Sequence, residues 1–145
     1  LRMRRLDHSA IFVLIAGTYT PLCLLVLPPA VGRTLLLMAW GGALLGVVQS
    51  ILWPNAPRAV VVTLCVALGL VVLTQWSVFV TTLSVMQIGF IAGGGLAYIL
   101  GAVFYASKRP NPLPGVFGYH EVFHALVVVA ATLHFVTVRQ VVLGS

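Results

Sequence analysis

Apolar positions run in long unbroken stretches along this chain, and polar residues fall almost entirely between them. A bilayer core of about 30 Å takes about 20 apolar residues in a helix, and that length picks out the predicted elements. The first span covers 8–27 and stops at Pro28-Pro29, because proline cannot continue a helix. The second covers 34–53 and stops at Pro54, with Trp53 at the interfacial level. The third begins after Pro57-Arg58 and covers 59–75, with Trp76 as its interfacial marker. The apolar stretch 77–106 is too long for one span and too short for two. Its Ser/Thr-containing beginning, 77–85, reads as a connection near the interface, and the fourth span as 86–106. A proline- and glycine-rich loop follows at 108–115, and the fifth span covers 117–138. Five helices joined by short loops make a single transmembrane domain over 1–145 and leave no room for a separate soluble one.

Composition agrees with this pattern. Of 145 residues, 61% are hydrophobic and 7% charged, against about 25% charged in soluble domains. A soluble domain this small lacks the material for a polar shell, and disorder requires the opposite balance. The expected fold class is therefore an all-α integral membrane protein, a bundle of about five transmembrane helices. The net charge of +6 does not point to nucleic acid, because the basic residues form no stripe. They act instead as topology signals. One face receives Arg2, Arg4, Arg5, Arg58, Lys108 and Arg109, and the other Arg33 and Arg139, which predicts a cytoplasmic N-terminus and an outside C-terminus. The first apolar run is too long for a signal peptide. Cys23 and Cys65 match no metal or redox spacing and read as apolar filler. The spans place them roughly 22 Å and roughly 9 Å along the membrane normal, too far apart for a disulfide.

Gly93, Ala97 and Gly101, spaced by four, predict a smooth face on the fourth span for close helix approach. Tyr98 and Tyr105 share another face, either pointing a hydroxyl inward or reaching for the interface.

Ionisable groups inside a membrane are costly and are functional candidates by default. Asp7 and His8 open the first span, His120, Glu121 and His124 the fifth, and His134 lies near its end. Four residues apart on a helix, His120 and His124 rise about 6 Å and rotate only about 40°, so both imidazoles project from one face. That spacing suits two nitrogens on one metal ion, and it equally suits polar packing against neighbouring helices. The first and fifth spans start from the same side, so Asp7 lies at nearly the depth of His120, as a site carboxylate or as a helix N-cap. Glu121 complements the helix dipole. His8 points away from Asp7 and reads as interfacial. His134, about four turns beyond His120, reads as structural. No phosphate loop, Cys pair or nucleophile elbow is present, and Ser9 has no evident base.

The stretch LDHSAIFVLIAGTYTP at 6–21 resembles the third transmembrane helix of the bacterial hemolysin III proteins, which group with the progestin and adipoQ receptors, including the adiponectin receptors. GGLAYILGAVFY at 94–105 with KRPNP at 108–112 is similar to the sixth helix and the loop after it, and GYHEVFH at 118–124 with His134-Phe135 to the seventh. The resemblance implies a seven-helix fold of which this chain supplies helices three to seven. It implies zinc near the cytoplasmic side, bound by His120 and His124, with Asp7 holding the catalytic water. The family's second-helix serine and histidine, the latter the third zinc ligand, have no counterpart here, so the chain reads as an N-terminally truncated piece. His8, facing away from Asp7, does not replace that ligand. By resemblance the expected function is a zinc-dependent, ceramidase-like hydrolase acting on lipid amides in a bacterial plasma membrane. The alternative is a non-enzymatic pore-forming haemolysin or a regulator of membrane lipid homeostasis. Membrane lipids are the expected partners.

Overall fold

The computed structural model describes residues 2–113 and 115–144, with side chains from Leu6 onward. The elements are α1 (Arg2–Leu25), α2 (Pro29–Leu52), α3 (Arg58–Leu70), a 3-10 segment (Val71–Gln75), α4 (Trp76–Thr82), α5 (Val85–Ser107) and α6 (Tyr119–Leu143). The 3-10 segment joins α3 to α4 in one rod, Arg58–Thr82, so among the described residues five helical spans are long and apolar enough to cross a bilayer. The chain is an all-α integral membrane bundle.

Each boundary has a local cause. Pro29 sits at the first position of α2, where its missing N–H costs nothing, and Pro57 precedes α3 with extended backbone. The Ser84 hydroxyl accepts the Gln87 N–H at 3.3 Å, while Gln87 Oε1 accepts the Ser84 N–H at 3.0 Å, a reciprocal cap that starts α5. Helix α5 ends where Lys108 turns left-handed, at φ 58°.

The stretch 77–85, expected as an interfacial connection, is largely helix, and only Leu83 and Ser84 separate the third and fourth spans. Thr81 donates to the Ser77 carbonyl at 3.1 Å and Thr82 to the Val78 carbonyl at 2.7 Å, so each hydroxyl is satisfied by the preceding turn and the helix continues through them. Trp76 is likewise no end marker, because the span continues to Thr82.

The helices pack most extensively in two antiparallel pairs, α1 with α2 and α5 with α6. The fully buried Phe12 ring lies against Gly46, where a larger residue would collide with it. On α5 the close seam runs along Gly94, Ala97 and Gly101, all buried, rather than starting at Gly93. A Cβ at Gly94 would lie 2.5 Å from His134 Nε2, and one at Gly101 3.2 Å from the Phe123 ring. At Gly93 it would meet only Leu133, at an ordinary 3.5 Å. These approaches allow α6 to lie close on α5 and fix its rotation.

Candidate metal centre

Asp7 sits near the start of α1, and His120 and His124 occupy the first two turns of α6. Both helices begin at one end of the bundle, and the three side chains meet there. Asp7 Oδ1 lies 3.3 Å from His124 Nε2, and Asp7 Oδ2 3.7 Å from His120 Nε2. The two Nε2 atoms are 3.1 Å apart, with the rings edge to face at 4.6 Å between centroids. Helix α1 begins well before Asp7, so this carboxylate is not an N-cap.

The group could hold a metal ion. Ligand bonds of about 2.0–2.1 Å in tetrahedral geometry place donor atoms about 3.3–3.4 Å apart. The two Nε2 atoms lie close to that separation, and an Asp7 oxygen falls within 4.8 Å of both. Among the described residues, no other group of three or more His, Cys, Asp or Glu side chains gathers this way. The side chains of His120 and His124 are 40% and 42% exposed and that of Asp7 27%, so the cluster is open on one side.

Local structure sets the register of both histidines. The Glu121 carboxylate accepts the Gly118 N–H at 2.9 Å, and Asn111 Oδ1 accepts the Tyr119 N–H at 2.9 Å. Two of the unpaired donors that open α6 are thereby satisfied. Glu121 thus serves the helix terminus and stays out of the cluster.

His8 is not interfacial. It is 7% exposed, and its Nε2 lies 3.1 Å from the Tyr105 hydroxyl on α5. A residue facing away from Asp7 is still buried there, because α1 has neighbours on more than one side. The Tyr105 ring in turn contacts His120 and Phe123, with centroids 5.9 Å and 5.3 Å away. The Arg58 guanidinium lies over Tyr105 and Tyr119, at 5.7 Å and 5.5 Å, in cation–π geometry. This Arg58–Tyr105–His8 arrangement was not anticipated from the sequence. The pairing of Tyr98 and Tyr105 on one face was its only visible signal. Tyr105 turns its hydroxyl inward, and Tyr98 packs on His134, with centroids 5.8 Å apart. His134 stands far from the cluster and approaches the Ile91 carbonyl at 3.3 Å. Cys23 and Cys65 are unpaired.

An apolar cavity of about 360 Å³ lies within the bundle. Ile11, Ala102, Phe123, Leu22, Trp76 and His134 are among its lining residues, and Asp7, His120 and His124 are not. Phe123 and His134 stand eleven residues apart on α6, a length of about 16 Å.

A membrane bundle with a histidine–carboxylate cluster at one end and an apolar cavity in its interior defines the class. Residues 2–135 match the family described as haemolysin-III related, and the chain belongs to that family. It is 33% identical to a Hemolysin-3 homolog of Bacillus subtilis (strain 168) over 84% of this chain and 54% of that protein. It is 33% identical to Hemolysin-3 of Bacillus cereus over 97% of this chain and 61% of that protein. The chain thus spans little more than half the length of these curated relatives. A shorter stretch, 30% of the chain, is 49% identical to part of the heptahelical transmembrane protein ADIPOR2 of Oryza sativa subsp. japonica, which connects the chain to the adiponectin receptor-like proteins. No solved structure matches it.

Proposed function

We propose that this chain forms the core of a zinc-dependent membrane hydrolase that cleaves lipid amides. The observation that carries this reading is the meeting of Asp7, His120 and His124 in a bundle whose apolar cavity is lined by Phe123, the neighbour of His124 in sequence. His120 and His124 would hold the metal through Nε2. Bound zinc supplies a Lewis acid that lowers the pKa of water towards neutrality. Asp7 orients the attacking water and takes its proton, the role of a general base within hydrogen-bond reach. The cavity holds the acyl chain, its apolar lining excluding water, and the amide carbonyl rests at the cluster. Tyr105, held by His8 and flanked by Arg58, packs against the His120 ring.

The test is hydrolysis of an N-acyl amide by the whole chain reconstituted in lipid. Fatty acid release should require zinc, stop on chelation and fall at least about 10²-fold in Asp7→Asn. Release that is unaffected by a chelator and by His120→Ala with His124→Ala would overturn the proposal.

A further inference from the structure

The third span carries a feature that the metal centre does not use. Between α3 and α4 the helix tightens into the 3-10 segment Val71–Gln75. Backbone irregularity at membrane depth is tolerated only where the protein supplies the missing partners. Here one phenol does so. The Tyr19 hydroxyl, on α1, accepts the Val72 N–H at 3.1 Å and donates to the Gly69 carbonyl at 2.7 Å, with the Leu68 carbonyl also within 3.1 Å. A hydroxyl has one proton and two lone pairs, so this use is close to complete. Tyr19 is 6% exposed and its ring lines the cavity.

The break has a geometric consequence. A 3-10 helix turns about 120° per residue and an α-helix about 100°, so five residues advance the phase by about 100°. Everything after the break is rotated by that amount relative to an uninterrupted helix. Trp76 consequently lines the cavity and Phe79 is fully buried, while Val72 and Leu73 complete the wall. Arg58, at the start of the same rod, lies beside Tyr105 and Tyr119 at the metal end. The 3-10 segment, about 20 Å along the rod from Arg58, therefore lines the cavity far from the metal end.

We propose that Tyr19, by clasping the 3-10 segment Val71–Gln75, sets the longest acyl chain the cavity accepts. This makes Tyr19 a specificity-determining residue, and it rests on the reading of the cavity as the acyl site. Each methylene that enters an apolar site is worth about fourfold in affinity. Affinity should rise by that step along a series of saturated fatty amides and stop rising at the length that reaches the wall.

The experiment measures binding of such a series to the whole chain in nanodiscs. The readout is quenching of Trp76 by brominated fatty amides, in a background where Trp40 and Trp53 are phenylalanine. Tyr19→Phe keeps the ring and removes only the hydroxyl. It should move the cut-off by at least one methylene, leave shorter chains bound within about twofold and leave zinc content unchanged. Leu73→Ala, which trims the wall and keeps the clasp, should lengthen the cut-off. The same cut-off in wild type and Tyr19→Phe, whatever Leu73→Ala does, would overturn the proposal while sparing the acyl-site reading. Absence of any length dependence in the wild type would overturn both.

Discussion

Gly94→Ala tests the packing that holds α6, and with it both candidate zinc ligands, in place. The added methyl would lie 2.5 Å from His134 Nε2, 2.6 Å from its Cδ2 and 3.1 Å from the Ala130 carbonyl. Backbone cannot yield cheaply at the third of these, so either the helices part or the imidazole swings away. Overpacking of this kind costs about 1–3 kcal/mol. Displacing the imidazole also forfeits its contact with the Ile91 carbonyl, worth about 1 kcal/mol. The expected destabilisation is therefore about 2–4 kcal/mol. Gly89→Ala is the matched control on the same helix, because a Cβ there meets nothing within 4 Å. It should be neutral or stabilising by up to about 1 kcal/mol. Unfolding in mixed detergent micelles, followed by circular dichroism, would compare the two. A double-mutant cycle with His134→Ala should recover the part of the Gly94→Ala cost that the imidazole causes and leave the part due to the Ala130 carbonyl. Equal stability of Gly94→Ala and Gly89→Ala would refute the close seam between α5 and α6.

Other expectations follow from single contacts. Ser84→Ala removes the cap of α5 and should cost about 1 kcal/mol in the same unfolding assay, with raised hydrogen exchange confined to the first turn of that helix. Tyr105→Phe deletes the hydroxyl that meets His8 and should cost about 1 kcal/mol, leaving zinc content as in the wild type. Asp7→Asn should lower turnover far more than it weakens zinc binding, which steady-state kinetics and metal titration would separate.

The helices, the chain's place in a membrane and the meeting of Asp7 with His120 and His124 were legible in the sequence. Run length against bilayer thickness gives the spans, and alternating direction brings the starts of α1 and α6 to the same end. Several readings failed, two of them for reasons that reach beyond the residue concerned. The hydroxyls at 77–85 looked like those of a connecting loop, yet Thr81 and Thr82 bond to their own helix, which composition cannot reveal. His8 looked interfacial because only its angle from Asp7 was visible. Its partner Tyr105 is 97 residues away, on a helix whose rotation is set by Gly94 and Gly101. Tyr19's clasp on the 3-10 segment is tertiary in the same sense.

The central claim is that His120 and His124 hold one zinc ion together. Zinc-edge X-ray absorption on the purified chain in nanodiscs, with metal content measured alongside, tests it most directly. The account predicts bound zinc with imidazole nitrogen at about 2.0–2.1 Å, lost when both histidines are replaced by alanine. Zinc content as low in the wild type as in that double variant would contradict it.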